Sequence, residues 1–246
     1  MPDMRIAVIA DVHGNAWALD AVLADIARQG IERIVDLGDS VYGPLDPATA
    51  ARRLMAAGIP SVQGNEDRIL FSPPVPAPPT LRYTLSSLPV EARDWLQGLP
   101  RSRVVLEGIL ACHGTPDSDE TYLLEEVTPH GVIPRSAESI LAMVRPATQS
   151  VILCGHSHVA RAVTLPGGQL AVNPGSVGLQ AYTDELPYPH RTESGSPHAR
   201  YAVLWHASTG WQAEQHAVAY AWDAAAACAR EHGRPDWAQW LATGCA

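Results

Sequence analysis

The chain has 246 residues, enough for one large domain or two small ones, and at that size a core needs no disulfide or structural metal to hold it. Its 46% hydrophobic and 17% charged residues place it among ordinary globular proteins. A formal charge of -9 argues against non-specific nucleic-acid or anionic-membrane binding, which requires a basic surface.

The chain opens on a strand-like run, Arg5-Ile6-Ala7-Val8-Ile9-Ala10, with no basic segment and signal-length apolar stretch ahead of it. No stretch reaches transmembrane length. Cys112, Cys154, Cys228 and Cys245 form no CxxC pair and no framework spacing. Reduced thiols in a cytoplasmic protein are therefore expected. Residues 15–29 read as a helix, with Leu19, Val22, Leu23 and Ile26 at helical spacing and Gly30 as the stop. A short strand, 34–37, ends at Gly38-Asp39, and a helix over 47–57 starts on Pro47 and stops before Gly58. A third strand over 61–63 precedes Gly64-Asn65-Glu66-Asp67. This βαβαβ rhythm implies a partly parallel sheet covered by helices.

Residues 72–79 are dense in proline and read as a surface loop, followed by a short helix over 90–97. Runs 103–106 and 108–112 form a hairpin, and a helix over 136–144 leads into a strand over 150–154. Further hairpins are expected from 161–165 with 169–172 and from 201–205 with 211–218, before a helix that starts near Tyr220. These late strands suggest a second, mostly antiparallel sheet packed on the first. Residues 182–200 read as a polar loop and a candidate lid.

Five short segments carry the chemistry, each at the C-terminal end of an expected strand. They are Asp11-Val12-His13-Gly14-Asn15, Gly38-Asp39, Gly64-Asn65, His113-Gly114 and Gly155-His156-Ser157-His158. Ligand sites in open α/β sheets collect beyond those strand ends. The oxygen and nitrogen donors suit Mn, Fe, Ni, Co or Zn, and seven such side chains exceed what one tetrahedral ion takes. Two ions about 3.5–4 Å apart would share them, activate a water and stabilise both oxygens of an in-line displacement at phosphorus.

In this order the five segments resemble the signature of the calcineurin-like metallophosphoesterase superfamily: D-x-H, G-D, G-N-x-[DE], H-G and G-H-x-H. The likeness spans residues 6–178 and implies a four-layered α/β/β/α sandwich of two mixed sheets, here a single domain over 1–246. It assigns Asp11, His13 and His158 to one divalent metal ion and Asn65, His113 and His156 to the other, with Asp39 bridging. Asp39, Asn65 and His113 would then serve the hydrolysis of a phosphate ester by a metal-bridging hydroxide, with manganese the first choice of metal. Glu66 stands where protein-phosphatase-like members carry a histidine, and no arginine follows Gly38-Asp39 to clamp phosphate. With Asn173-Pro174-Gly175-Ser176-Val177-Gly178, these departures resemble the small bacterial phosphodiesterase and diadenosine-tetraphosphatase-like branch. A small phosphodiester substrate is favoured. The alternatives are a diadenosine polyphosphate, a Ser/Thr phosphoprotein, or a non-catalytic scaffold on the same fold.

Four features have two readings each. Asn15 either donates to a substrate phosphate at a helix N-terminus or simply caps that helix. Asp67 either orients the Asn65 amide from behind the metal or lies on the surface. Arg161 either neutralises substrate charge or is a solvated or salt-bridged strand residue. Residues 173–176 either floor the pocket or make a tight turn. His190 and His198 lie in the polar loop and are candidates for substrate contact, whereas the tryptophans read as core or rim packing.

Overall fold

A computed structural model describes residues 4–145 and 147–246. Strand β1 (Arg5–Ile9) runs into helix α1 (Ala16–Arg28), which buries Leu19, Val22 and Ile26 on one stripe. Strand β2 (Arg33–Asp36) follows, then α2 (Pro47–Ala57), whose first turn is closed by the Asp46 carboxylate accepting from the Thr49 N–H. The short α3 (Asn65–Arg68), α4 (Pro79–Ser87) and α5 (Val90–Gln97) come next. Strands β3 (Ser102–Leu106) and β4 (Ile109–Cys112) form a hairpin, as do β5 (Glu125–Thr128) and β6 (Gly131–Pro134). Helix α6 (Ala137–Val144) leads to β7 (Val151–Leu153), β8 (Arg161–Thr164) and β9 (Leu170–Asn173). Hairpin β10 (Ala181–Asp184) with β11 (His190–Glu193) precedes β12 (Ala199–Ala207) and β13 (Gly210–Val218). The chain finishes on α7 (Trp222–Glu231) and α8 (Pro235–Thr243).

Two mixed sheets face each other, in the orders β13-β12-β1-β2 and β3-β4-β7-β9-β8. Alternation along β1 shows how they pack. Ile6 and Val8 point at Ile109, Val151 and Val172 of the other sheet, while Ala7 and Ile9 meet Leu19, Val22 and Leu54 of α1 and α2. On the far face of the second sheet, Ile152 and Ala171 are covered by Ile140 and Val144 of α6. Helices, sheet, sheet and helix make the expected α/β/β/α sandwich.

Several expectations need correction. Residues 61–63 form no strand; Ser61 makes a single parallel bridge to Asp36. The late strands do not build a sheet of their own. Instead β12 pairs antiparallel with β1, while β8 and β9 join β7 in the other sheet. The cause is burial on both faces. Tyr201 and Val203 pack under α1, Ala202 and Leu204 between the sheets, so β12 must be an interior strand. The stretch read as a lid contains the β10–β11 hairpin, which buries Ala181, His190 and Thr192. Helix α4 starts on Pro79, in the first turn, where a missing N–H costs nothing, so the proline-dense stretch ahead of it hides its start in the sequence. The β5–β6 hairpin has no period-2 apolar signal, and Gly233 in the left-handed region separates α7 from α8.

Candidate metal centre

The five segments converge. Asp11 and His13 leave β1, Asp39 leaves β2, His113 leaves β4, His156 and His158 leave β7, and Asn65 opens α3. Five of these residues hold positive φ: Asp11 (55°), His13 (50°), Asp39 (52°), His156 (68°) and His158 (59°). Such backbone costs roughly 1–3 kcal/mol per residue and persists only where surroundings over-determine it. Here the loops clamp one another through buried backbone bonds. Asp11 N donates to Gly38 O at 2.9 Å, His13 N to Asp39 O at 2.9 Å, and Gly155 N to His113 O at 2.7 Å. The third loop must approach Asp39 closely, and only glycine fits there. A Cβ on Gly64 would lie 2.1 Å from Asp39 Oδ1.

Ring orientation is set from outside. The Nδ1 atoms of His13, His113 and His158 lie 3.0, 2.8 and 2.8 Å from the carbonyls of Tyr42, Leu37 and Leu179. A carbonyl only accepts, so each Nδ1 carries a proton and each Nε2 turns inward, where it offers a lone pair once the ring is neutral. His13 Nε2 and His158 Nε2 then face each other at 3.0 Å, with Asp11 Oδ1 3.5 Å from the latter. At that distance the two Nε2 atoms can share a proton or, once both rings are neutral, ligate one cation. Around the second centre, His113 Nε2 lies 3.0 Å from Asn65 Oδ1 and 3.3 Å from Asp39 Oδ2, and the tilted His156 ring lies 5.0 Å from that of His113. Ligand atoms of Asp11, His13 and His158, and of Asp39, His113 and His156, each fall within 4.8 Å of one another. Glu66 joins His13 and Asp39 in a third such triad.

Electrostatics agree. Burial would lift the Asp39 carboxyl, yet His113, His13 and His156 outweigh it and hold it far below the usual range. Asp11 is likewise lowered, by His158 and His113 against its own burial. Burial opposes the charged imidazoles, but Glu66 raises His13 to about 9 and Asp39 raises His113 to about 10. His156 falls to about 4 through burial and repulsion by His113. Carboxylates that stay anionic among inward-facing imidazoles are the donor set that a divalent ion completes.

The supporting residues resolve differently from expectation. Asn15 is fully buried: Oδ1 accepts from Ala18 N, while Nδ2 donates to Gly178 O at 2.9 Å and to the Tyr220 hydroxyl at 3.3 Å. Nothing is left for a phosphate, so the capping reading replaces the substrate one. Arg161 points its guanidinium at the carbonyls of Leu124 and Arg135 and lines a separate groove of about 900 Å³. It does not line the metal cavity. Asp67 is buried, but its oxygens accept from Ser40 N (3.0 Å) and Gly64 N (3.1 Å), not from the Asn65 amide. It pins the second and third loops together, and burial with repulsion from Asp39 lifts it to about 8. The 173–178 turn braces the site from behind. Asn173 Nδ2 donates to Gly155 O, and the Ser176 hydroxyl donates to Asp11 O. His190 Nε2 lies 3.0 Å from the Tyr122 hydroxyl, whereas His198 bonds Ser196 and stays away.

A cavity of about 300 Å³ opens over the ligands, walled also by Tyr42, Glu66, Tyr122, Tyr182, Arg234 and Trp237. Tyr182 donates to the His156 carbonyl at 3.2 Å, and its hydroxyl also bonds Tyr122. Trp237 sets its ring edge against His13 at 5.8 Å. None of these wall residues except Glu66 lies within a motif, so no local pattern signalled them.

The sequence profile described as a calcineurin-like phosphoesterase superfamily domain matches residues 4–188. The fold is similar to the crystal structure of a metallophosphoesterase from Sphaerobacter thermophilus, at 25% identity and a TM-score of 0.76 over 98% of this chain and 99% of that one. A hypothetical protein of Pyrococcus horikoshii OT3 shares the fold at 21% identity and a TM-score of 0.73, over 98% of each chain. An uncharacterized protein of Methanocaldococcus jannaschii is 26% identical over 202 residues, which cover 72% of this chain and 78% of that protein.

Proposed function

This chain belongs to the calcineurin-like phosphoesterase superfamily and is a hydrolase of that kind, and from this premise we propose that it cleaves small phosphate esters, phosphodiesters first. The observation that carries the reading is the facing pair of His13 and His158 Nε2 atoms, 3.0 Å apart, with both Nδ1 atoms committed to carbonyls. Asp11, His13 and His158 would hold one divalent cation, and Asn65, His113 and His156 the other, with Asp39 shared. Manganese is the proposed ion, with iron, nickel, cobalt and zinc served by the same donors. When bound, the two ions would supply an activated water for in-line attack and neutralise the phosphoryl oxygens.

The chain's own residues do the rest. Carbonyls of Tyr42, Leu37 and Leu179 lock three imidazoles in one tautomer. The Glu66 N–H donates to Asp39 Oδ1 at 2.9 Å and leaves Oδ2 directed at the cluster. Asn65 and His113 present an amide oxygen and an imidazole to the same point, so Asp39, Asn65 and His113 are the proposed catalytic residues. Tyr122 and Tyr182, joined through their hydroxyls, form one side of the cavity. We place the protein in the cytoplasm as one domain over 1–246; no helix among the described residues is long and apolar enough to cross a membrane.

The test is turnover of bis-p-nitrophenyl phosphate, p-nitrophenyl phosphate, diadenosine tetraphosphate and a phosphopeptide by Mn²⁺-loaded protein. Asp39→Asn and His113→Ala should each nearly abolish it. Wild-type rates in both variants would remove the assignment, and a protein with neither metal nor turnover would favour a scaffold.

A further inference from the structure

The family profile ends at residue 188, whereas one wall of the metal cavity comes from the α7–α8 hairpin beyond it. That hairpin is packed hard against the ligand loops. A Cβ on Gly43 would meet His13 O at 2.4 Å and the Trp237 ring at 3.1 Å. Arg234, immediately before α8, lines the cavity beside His13, Asp39 and Glu66.

Its guanidinium is oriented from three sides. Nε donates to Asp236 Oδ1 at 2.9 Å, Nη2 to Asp236 Oδ2 at 2.6 Å, and Nη1 to the Thr80 hydroxyl. The Trp237 ring covers one face, 5.4 Å from Cζ. Arginine has five N–H donors, so two stay uncommitted on a fork already held in place. Among the described residues lining this cavity, Arg234 is the single arginine, against the carboxylates Asp39, Glu66 and Asp184. No lysine stands in for it anywhere, because the chain contains none. The segment after Gly38-Asp39 lacks an arginine, and the tertiary fold brings one to the cavity from far along the chain.

We infer that Arg234 is a substrate-positioning residue that receives a phosphoryl oxygen inside the metal cavity; this rests on the phosphoesterase reading above. A pre-oriented fork suits a phosphoryl group better than a flexible point charge does. Asp236 and Trp237 set the direction of the fork, and the uncommitted N–H groups do the binding.

The experiment is calorimetric titration of Mn²⁺-loaded protein with inorganic phosphate and with pyrophosphate, alongside metal content and melting temperature. Arg234→Gln should weaken phosphate binding about 10- to 100-fold, the range of a lost charge-assisted hydrogen bond, with metal content unchanged. With any hydrolysed ester, KM should rise more than kcat falls. Equal loss for both anions places Arg234 on the reacting group, and a larger loss for pyrophosphate places it on a second phosphoryl group. Wild-type phosphate affinity in a folded, metal-loaded Arg234→Gln protein overturns the inference. Should that variant lose its melting transition, Arg234→Lys carries the test. Its single ammonium keeps the charge without the fork, a loss is expected, and wild-type affinity overturns the inference. Phosphate binding is read without turnover, so a protein that binds phosphate through Arg234 yet hydrolyses no ester sinks the hydrolase reading alone.

Discussion

Gly64→Ala isolates one contact of the metal site with no chemical change to any ligand. Gly64 itself has an ordinary extended backbone, φ -86° and ψ 171°, so alanine brings no torsional strain. Its methyl would, however, lie 2.1 Å from Asp39 Oδ1 and 2.5 Å from Asp39 N. A relaxed contact of a methyl carbon with oxygen or nitrogen needs about 3.4 Å, so one of the two loops must move by roughly 1 Å or more. Neither moves freely. Asp67 clamps Gly64 N at 3.1 Å and Ser40 N at 3.0 Å, and Glu66 N holds Asp39 Oδ1 at 2.9 Å. Overpacking of this kind costs about 1–3 kcal/mol. At roughly 2–4 °C per kcal/mol for a chain of this size, chelator-treated Gly64→Ala should melt about 2–12 °C below wild type. A ligand displaced by about 1 Å should also cost turnover up to roughly 100-fold. Thermal melts by circular dichroism, with and without Mn²⁺, and metal content by elemental analysis measure both effects. A variant that melts within a degree of wild type, binds two metals and turns over normally would refute the claim that Gly64 is there for Asp39.

Metal uptake should release protons. His13 and His113 stand near 9 and 10 without metal, yet an ion needs neutral imidazole, so apparent affinity should fall as pH drops below about 10 and more steeply below about 9. Calorimetry at neutral pH in two buffers of different ionisation heat checks this; identical heats would contradict it. Both values exceed the ordinary 6.5, so their contribution to the metal-free fold is complete below that pH and is lost through pH 9 to 10, where chelated protein should melt progressively lower. Ser157→Ala removes the hydroxyl that donates to buried Glu125 Oε2 at 2.6 Å and should cost about 1–3 kcal/mol in denaturant unfolding. Glu125→Gln keeps an acceptor for that hydroxyl and should cost less, because burial already disfavours the charged carboxylate, and equal losses would contradict that. Asn15→Ala loses a helix cap and the bond to Gly178, so stability should drop by about 1–2 kcal/mol with KM unchanged. A raised KM at normal stability would restore a substrate role for Asn15.

Ligands that follow strands at fixed spacing are legible because the strand end itself places them: Asp11 and His13 share one turn, as do His156 and His158. Their partners across the fold are not legible. Asp67 reads as a neighbour of Asn65, but the α3 turn aims its carboxylate back at Gly64 N and across to Ser40 N. Arg161 reads as close to His158, yet it heads β8, where its guanidinium meets the carbonyls of Leu124 and Arg135.

Local forces alone decided much of this protein. Helices α2 and α5 run over the residues their caps, prolines and apolar spacing indicate, because those signals act within a few residues. The ligand set is equally local, being carried by short loops. The tertiary structure alone decided that β12 lies beside β1, since burial on both faces arises only when α1 and the second sheet are both present. It alone brought Arg234, Trp237, Tyr122 and Tyr182 around one cavity, because packing of distant segments leaves no periodic trace in any of them.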